Sequence, residues 1–417
     1  MAALCLSASK NELSEDITVS TPNSTSITTQ VIVAGAGPVG LVAALTLAQA
    51  GIKVVLLEKR NSLNTASKAS TFHPPTLEII DDLGAIEPLL SQGELVHRIQ
   101  YRTTAGPFAE FALADLADRT RYPFRLHLEQ SKLTPTLLAK FRALPGTITL
   151  FDTELHGIEQ SGDSITALVS HNGEEQRITG HYLLGTDGAN SAVRQALGLA
   201  FDGTVYPTKI LRVMTTDDLD PILPTIAPIT YLFNGSKSLS FLKMPDCWRI
   251  IIRVPETAAD ETALQDAWVS EQIQAVMPTW THLPKIVGRD VYGASRRVAS
   301  SYAVGRAFLA GDSAHVTNTR GGMNMNCGIH DADSLAKAII AALRDNNPAL
   351  VEAASRERQR VAEDMLIPRT DRNIAGGEGW LDTIREIATD KQAAADYLAT
   401  AAMLDMLERP HHQGLAS

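Results

Sequence analysis

The first strongly patterned stretch of the chain is TTQVIVAGAGPVGLVAALTLAQAGIKVVLLEKR, residues 28–60. A β-branched run ends in glycines, an Ala/Leu-rich stretch follows, and Gly51 ends that stretch. A second apolar run over residues 53–57 then ends at Glu58. This order predicts a strand–helix–strand unit.

Later patterns divide the rest of the chain. Helical spacing occurs in PTLEIIDDLGAIEPLL, beginning near Pro75, and in residues 129–143. Short alternating runs predict strands over 147–186 and hairpins over 208–255. In WRIIIRV, residues 248–254, apolar positions alternate with Arg249, Ile251 and Arg253, which predicts one apolar and one charged face. From about residue 331 the pattern is mostly helical.

Together these patterns predict an α/β (α+β) protein with a Rossmann-type core. We expect a Ser/Thr-rich disordered tail over 1–28, the core in two parts over 29–206 and 299–345, an inserted β-sheet domain over 207–298, and a helical C-terminal region over 346–417.

Composition excludes several classes of protein. The chain has 417 residues and a net charge of −10 without a Lys/Arg cluster, which argues against a nucleic-acid partner. Cys5, Cys247 and Cys327 lack paired spacing, which excludes a disulfide framework or a cysteine-based zinc site and favours a reducing compartment. We expect no metal, and no apolar run is long enough to span a membrane. A cytoplasmic location is the expectation.

The first chemical motif is the glycine string Gly35, Gly37, Pro38 and Gly40 between the first strand and helix. Such glycines permit a tight turn and the close approach of a pyrophosphate to the helix N-terminus. Glu58 stands where an acid can bind a ribose hydroxyl. A tight turn without a ligand is the alternative, but the strand, helix and acid together favour a dinucleotide.

Two further motifs follow predicted strands. Asp187 and Gly188 lie in GTDGANSAVR, which by itself could be a turn that caps a helix. Gly311 and Asp312 lie in RAFLAGDSAH, where Asp312 could be a helix cap and His315 a core histidine.

In this order, the three motifs resemble those of the FAD-dependent aromatic hydroxylases, the single-component flavoprotein monooxygenases of the p-hydroxybenzoate hydroxylase type, over residues 29–370. The resemblance implies that the first unit, with Glu58 and the adjacent Lys59 and Arg60, holds the adenine half of FAD. TDGANSAVR resembles the motif associated with FAD and the nicotinamide cofactor. The remaining implied flavin contacts are Asp312 to the ribityl chain, Gln130, and Lys68, where the family usually has Arg.

The segment GDSAHVTNTRGGMNMNCGIH, residues 311–330, carries the next implied contacts. The resemblance implies that its loop 316–328 holds the pyrimidine edge of the flavin. Backbone N–H groups near Gly322, Met323, Asn324, Met325 and Asn326, with the positive end of the following helix, would stabilise charge on the reduced flavin.

This loop departs from the family pattern, because Asn318, Thr319 and Arg320 stand where relatives commonly have one or two prolines. We take Thr319, Arg320 and His330 as catalytic candidates. Arg320 could hold an acidic substrate or a flavin anion, or it could be a solvated loop residue. His330 could be a general base or, more in keeping with its position, a structural histidine.

Substrate contacts are expected from the inserted sheet, which in this family covers the substrate. Arg212, Lys243 and Arg253 lie on its predicted strands, and each could instead be a solvated surface charge.

The resemblance implies an NAD(P)H-dependent FAD monooxygenase, a monomer or homodimer, that uses O₂ to hydroxylate a small phenol or arylamine through a flavin hydroperoxide. The altered loop leaves room for an atypical flavoenzyme that catalyses epoxidation, dehydrogenation or another oxidation. A non-catalytic flavin-binding protein is a third possibility. A flavin halogenase is disfavoured because the W-x-W-x-I-P signature is absent.

Overall fold

The structure, a computed structural model, describes residues 26–66, 69–375 and 379–407. Lys68 and most of the expected tail lie outside these ranges. Within the described part of the chain, no helix is long and apolar enough to cross a membrane.

In chain order, the first strands are β1 (Ser26–Thr28), β2 (Val31–Ala34), β3 (Val54–Leu57), β4 (Thr71–Phe72), β5 (Glu94–Val96), β6 (Arg98–Thr103), β7 (Gly106–Ala112), β8 (Arg125–His127), β9 (Thr147–Leu150), β10 (Thr153–Ser161), β11 (Ser164–His171) and β12 (Glu174–Gly180). They continue as β13 (Tyr182–Gly185), β14 (Phe201–Val205), β15 (Lys209–Thr215), β16 (Ile229–Asn234), β17 (Lys237–Lys243), β18 (Trp248–Val254), β19 (Ile286–Tyr292), β20 (Ser295–Ala299), β21 (Ala303–Val304), β22 (Ala307–Leu309) and β23 (His315–Val316).

The α-helices follow the same order. They are α1 (Pro38–Gln49), α2 (Pro74–Asp82), α3 (Glu87–Leu90), α4 (Gln130–Arg142), α5 (Ala192–Ala196), α6 (Asp260–Ala263), α7 (Asp266–Val276), α8 (Asn324–Asp345), α9 (Ala349–Val361), α10 (Ile367–Ala375), α11 (Trp380–Thr389) and α12 (Lys391–Ala401).

The first sheet has the order β21-β22-β13-β2-β3-β9, and all its pairs except β21–β22 are parallel. Strands β2, β3 and β13 are buried along their whole length, as expected where helices cover both faces of a parallel sheet. Helix α1 packs against α4 and α8. The predicted Rossmann-type core and its first strand–helix–strand unit are therefore confirmed.

The second large sheet has the order β19-β15-β18-β17-β16-β6-β7. One face packs against α7 around the fully buried Trp280, and strands β6 and β7 pack against α11 and α12. This sheet therefore draws on residues 98–112 as well as 209–292, and the predicted domain boundaries stay a prediction. The four hairpin strands predicted over 208–255 are present as β15–β18.

Two local features differ from the sequence expectation. Arg249 is buried rather than on a solvated strand face, because its guanidinium donates to Glu129 and Ser70. Helix α8 begins at Asn324, so residues 324–328 form its first turns and not part of a loop. The apolar Met325 and Ile329, four positions apart, are both buried in the core that α8 shares with α1, which favours the earlier helical start.

The packing of α1 on the strand ends generates a stability prediction. A Cβ at Gly40 would overlap the carbonyl oxygen of Gly35 and lie 2.5 Å from Thr186 Oγ1. We expect Gly40→Ala to lower the free energy of unfolding by about 1–3 kcal/mol, the usual cost of overpacking. Gly293→Ala is the control, since no atom lies within 4 Å of its added Cβ. Equal melting temperatures for the two variants would contradict this packing.

Candidate active site

The glycine turn after β2 leaves open space at the N-terminus of α1. Gly35 has a φ of +107°, and a Cβ there would lie 2.5 Å from the Thr186 carbonyl oxygen. Gly37 precedes Pro38, the first residue of α1, and no atom lies within 4 Å of a Cβ placed on Gly37. The structure therefore requires glycine at position 35 for its own packing, whereas at position 37 it leaves space beside a helix N-terminus that suits a pyrophosphate.

Glu58 lies directly beside this turn. The residue is 8% exposed, and its carboxylate accepts hydrogen bonds from the Ala36 and Arg60 backbone N–H groups, each at 3.0 Å. The Arg60 guanidinium lies 3.5 Å from the same carboxylate, while Lys59 is exposed. The acid is therefore fixed at the position from which a ribose hydroxyl can be bound.

Asp187 caps the short helix α5 in the second motif. Its carboxylate accepts the Ser191 hydroxyl at 2.5 Å and the backbone N–H groups of Ala192 and Val193 at 2.7 and 3.1 Å. Burial raises the pKa of Asp187, although these hydrogen bonds oppose the shift. Gly188 follows with a φ of +85°. The carboxylate thus performs the capping role that the motif alone suggested, and any flavin contact here stays a prediction.

Arg194, which lies in the same motif, connects the second motif to the third. Its guanidinium donates to the carbonyl oxygens of Ser313 and Ala189, both at 2.8 Å. Sequence reasoning did not single it out, because its partner Ser313 is 119 residues away.

The third motif is held in place by a buried carboxylate that the sequence analysis did not identify. Asp331 accepts hydrogen bonds from the Gly311 backbone N–H at 3.1 Å, from His315 Nε2 at 2.7 Å and from Arg358 Nε at 2.7 Å. All three side chains are buried. Asp312 is exposed in the 3₁₀ turn that follows β22, at the end of the parallel sheet.

The charges in this cluster are mutually stabilising. Burial would lower the pKa of His315, but Asp331 and Cys327 outweigh it and raise that pKa to about 10. Burial would likewise raise the pKa of Asp331, but Arg358 and His315 hold it well below its usual range. His315, Cys327 and Asp331 are close enough to ligate a metal, yet the Arg358 guanidinium already occupies the second carboxylate oxygen. At neutral pH the cluster is an Arg–Asp–His⁺ network.

The glycine loop before α8 is held by Asn326. Its amide Nδ2 donates to the carbonyl oxygens of Thr71 and Gly322 at 2.8 and 2.7 Å, and its Oδ1 accepts the His73 N–H at 2.9 Å. Met323 precedes α8 without a side-chain cap. Within the described part of the chain, no side chain accepts a hydrogen bond from the first N–H groups of α8, and the positive end of the helix therefore suits an anionic ligand.

The other predicted loop and flavin residues lie around this helix end. The Asn324 amide donates to the Thr317 carbonyl oxygen at 3.0 Å, and Met325 is buried in the core below. Gln130 begins α4, and its backbone N–H donates to the Ala69 carbonyl oxygen at 3.0 Å. Ala69 lies two residues before Thr71, the first residue of β4. Gln130 therefore lies at the same end of the site as Thr71 and the glycine loop.

The catalytic candidates occupy three different environments. Thr319 is exposed, whereas Arg320 is half-buried with its guanidinium 5.9 Å from the centre of the Tyr231 ring. His330 is fully buried and its Nε2 lies 3.0 Å from Thr76 Oγ1. Burial and, to a smaller extent, the positive charge of Arg358 lower the pKa of His330 to about 3, so its imidazole is neutral at pH 7.

The predicted substrate residues do not converge. Arg212 forms an ion pair with Asp290 at 2.8 Å, Lys243 lies 3.2 Å from Glu94, and Arg253 is exposed. Their roles toward a substrate stay predictions.

A different group of side chains does converge beside the glycine loop, and we call it the tyrosine–arginine cluster: Tyr101, Arg125, Tyr231, Arg320 and Tyr397. The Tyr101 and Tyr397 hydroxyls lie 2.7 Å apart, and the Tyr101 and Tyr231 ring centres are 5.0 Å apart. Sequence reasoning missed it because it joins β6, β8, β16, the loop and α12. Its one local signal was RLH, residues 125–127, with two basic side chains on one strand face just before Gln130.

The open space at Gly37 generates a binding prediction. Gly37→Val should fill the space beside the N-terminus of α1 and weaken FAD binding at least about tenfold, or about 1.4 kcal/mol. The melting temperature of the apoprotein should stay near that of the wild type, since no protein atom lies within 4 Å of a Cβ placed at this position. Fluorescence titration with FAD measures the affinity, and an unchanged dissociation constant would contradict the assignment.

The Asp331 network generates a pH prediction. The pKa of His315 is raised above its unfolded value of about 6.5 to about 10. The contribution of the charged imidazole to the free energy of unfolding is therefore complete below about pH 6.5 and is lost as the pH rises through about 10. We expect His315→Gln to cost about 3 kcal/mol at pH 6, since it removes one partner from a buried ion pair. The stability difference from wild type should shrink steadily between pH 7 and pH 10 in denaturant titrations. A constant difference over that range would show that His315 is not charged in the folded protein.

Comparison with known proteins agrees with this geometry. The profile of a family described as FAD binding domain matches residues 28–367. Para-nitrophenol 4-monooxygenase of Pseudomonas sp. (strain WBC-3) is 27% identical over 399 residues, which cover 91% of this chain and 95% of the relative. The 6-hydroxy-3-succinoylpyridine 3-monooxygenase of Pseudomonas putida (strain DSM 28022 / S16) is 26% identical over 383 residues, which cover 88% of this chain and 96% of the relative.

The fold is also shared with a solved structure. The p-nitrophenol 4-monooxygenase from Pseudomonas putida DLL-E4 superimposes with a TM-score of 0.83 at 24% identity, covering 91% of this chain and 98% of the other. Since the family profile spans most of the chain and the three motifs form one site, the protein belongs to the FAD-dependent aromatic hydroxylase family and is an FAD-dependent monooxygenase.

Proposed function

We propose that the protein uses NAD(P)H and O₂ to hydroxylate a small aromatic ring that carries an electron-donating group, such as a phenol. The observation that carries this proposal is the juxtaposition of two features. The N-terminus of α8, which Met323 precedes without a side-chain cap, and its glycine loop lie beside the tyrosine–arginine cluster, so a flavin and an aromatic ligand can meet there. FAD supplies the redox chemistry, accepting electrons from NAD(P)H and activating O₂ for transfer of one oxygen atom.

The residues present fit FAD along the whole site. Gly37 leaves space for the pyrophosphate, and Glu58 is placed to accept ribose hydroxyls. We propose that Asp312, exposed at the end of β22, binds the ribityl chain and that Gln130 contacts the ring system. The N–H groups at the start of α8, which no described side chain caps, would stabilise negative charge on the pyrimidine edge, as a helix N-terminus does for other anions.

The chain's own contribution beyond cofactor binding is positioning and exclusion of water. Asn326 fixes the glycine loop to Thr71 and His73, so the loop presents a rigid backbone surface. The seven-stranded sheet supplies Tyr101 and Tyr231 on the opposite side. Arg320, on the loop between them, is placed to orient a ring against the flavin edge, because its guanidinium faces the Tyr231 ring.

The names of the relatives support a phenol-type substrate. One is named for para-nitrophenol and another for a 6-hydroxypyridine, and both names describe rings that carry a hydroxyl group. Asn318 and Thr319 replace the prolines common in the family, so epoxidation or dehydrogenation is the competing reaction. We place the reaction in the cytoplasm, the reducing compartment that the unpaired cysteines favour.

Consumption of NADH and NADPH under air tests the proposal. The purified protein with bound FAD is supplied with a panel of phenols and anilines. The masses of the products are measured by mass spectrometry after reaction under ¹⁸O₂. We expect at least one phenol to accelerate NAD(P)H consumption and to gain one ¹⁸O atom. A product without ¹⁸O would favour dehydrogenation, and no acceleration by any compound would favour a flavin-binding protein without turnover.

A further inference from the structure

The turn over residues 318–320 is held by the side chain of Asn318. This residue is 4% exposed, and its Oδ1 accepts the Arg320 backbone N–H at 3.0 Å. The amide oxygen thereby stands in for a backbone carbonyl, as it does in an Asx turn. Because a backbone N–H can only donate, the oxygen of the Asn318 amide must face Arg320, and its nitrogen lies on the other side.

Tyr206 connects this turn to the ion pair between Arg296 and Asp371. The amide nitrogen of Asn318 donates to the Tyr206 hydroxyl oxygen, 3.4 Å away. That hydroxyl donates in turn to Asp371 Oδ1 at 2.5 Å, because a carboxylate oxygen only accepts. The second carboxylate oxygen accepts the Arg296 guanidinium at 2.7 Å. Burial and the hydrogen bond to Asp371 raise the pKa of Tyr206, so its hydroxyl keeps its proton at neutral pH.

Helix α10 holds the loop at two adjacent positions. Asp371 is one of them, and the residue before it, Thr370, has its hydroxyl 2.6 Å from that of Thr317. Thr317 and Thr370 are both buried. The chain enters α10 through a π-helical turn, Ala362–Leu366, a feature that is frequent at functional sites. Residues 317 and 318 are therefore both fixed to one helix outside the glycine loop.

The direction of the Arg320 side chain depends on this backbone. Among the residues that the structure describes, the Arg320 guanidinium has no carboxylate partner, and its contact is with the Tyr231 ring, 5.9 Å from the ring centre. Burial raises the pKa values of Tyr101 and Tyr397, and the positive charge of Arg320 opposes that shift, so the guanidinium lies near all three rings. A single cation–ring contact is weak compared with the entropy of a long side chain. The turn must therefore aim this side chain.

We propose that Asn318, linked through Tyr206 and Asp371 to α10, is a positioning residue that sets the Arg320 guanidinium against the aromatic ring of the substrate. The inference rests on the proposed function, in which Arg320 orients that ring. Asn318 itself does not touch the ring, and it acts through the backbone N–H of Arg320.

The consequence of losing this link is uncoupled turnover. In coupled turnover, NAD(P)H supplies two electrons, one oxygen atom of O₂ enters the ring and the other leaves as water. When the ring is misplaced, the same two electrons and two protons, one from NAD(P)H and one from solvent, convert O₂ to H₂O₂. The yield of H₂O₂ per NAD(P)H therefore reports the placement of the ring.

The experiment separates the order of the turn from its effect on the substrate. The variants are Asn318→Ala, which removes both hydrogen bonds, and Tyr206→Phe, which removes only the hydroxyl and serves if Asn318→Ala fails to fold. Each is made with and without Arg320→Ala. Asn347→Ala is the control, because Asn347 is exposed beyond the other end of α8 and its Oδ1 accepts the Ala349 N–H at 3.3 Å in a similar turn.

Two measurements are made on each variant. Hydrogen–deuterium exchange of the segment 317–323 is followed by mass spectrometry in the apoprotein, so that this readout is independent of activity. The dissociation constant of 4-nitrophenol is measured by the change in flavin absorbance of the FAD-loaded protein, together with the H₂O₂ released per NAD(P)H.

We expect Asn318→Ala to speed exchange of the segment and to raise the dissociation constant about 3- to 10-fold each, with more H₂O₂ per NAD(P)H, and Asn347→Ala to change none of these. In the Arg320→Ala background, Asn318→Ala should alter the dissociation constant less than about twofold, because residues that act through one contact are not additive.

An unchanged exchange rate in Asn318→Ala, or an equal loss of affinity with and without Arg320, would overturn the inference and assign Asn318 a structural role only. Wild-type protein that still incorporates ¹⁸O into a phenol would in that case leave the proposed function standing. If no phenol perturbs the flavin or stimulates NAD(P)H consumption, both proposals fail.

Discussion

The site depends on one buried carboxylate. Asp331 is the shared acceptor for the Gly311 backbone, His315 and Arg358, which come from the end of β22, the following strand and α9. A buried carboxylate is stable only when its partners are all in place, so these three segments can order only together. Asp331 lies on α8, and the network thereby sets where the N-terminus of that helix lies relative to the parallel sheet.

A second buried polar group, the Asn326 amide, connects α8 to the side of the site where we expect the substrate. Asn326 lies on α8 one and a half turns before Asp331, and it holds Thr71, His73 and Gly322 together. Strand β4, which contains Thr71, pairs with β8, which contains Arg125. The core of the flavin-binding sheet is thus connected through a few hydrogen bonds to the strand that carries Arg125 of the tyrosine–arginine cluster.

The sequence predicted those parts of the protein that are determined locally. The glycine turn, Glu58 at the next strand end, and the alternating strands of the second sheet follow from patterns within a few residues. The start of α8 was misplaced because its amide-rich first turns resemble a loop, and only burial against the core favours helix there.

Contacts between distant segments could not be read in this way. Tyr101 and Tyr397 are 296 positions apart, and no periodicity links them. The strand alternation predicts that the Arg249 side chain is exposed. In the folded chain this side chain instead pairs with Glu129, 120 residues away. Tertiary pairing overrides local pattern where a charged side chain finds a partner in another element.

The central claim is that flavin and an aromatic ring meet between the start of α8 and the tyrosine–arginine cluster. A crystal structure of the FAD-loaded protein with 4-nitrophenolate tests it most directly. We predict the flavin pyrimidine edge against the backbone of residues 322–326, with the aromatic ring of the ligand beside Tyr231 and Arg320. A flavin ring placed away from α8, or a ligand bound away from Tyr231 and Arg320, would contradict it.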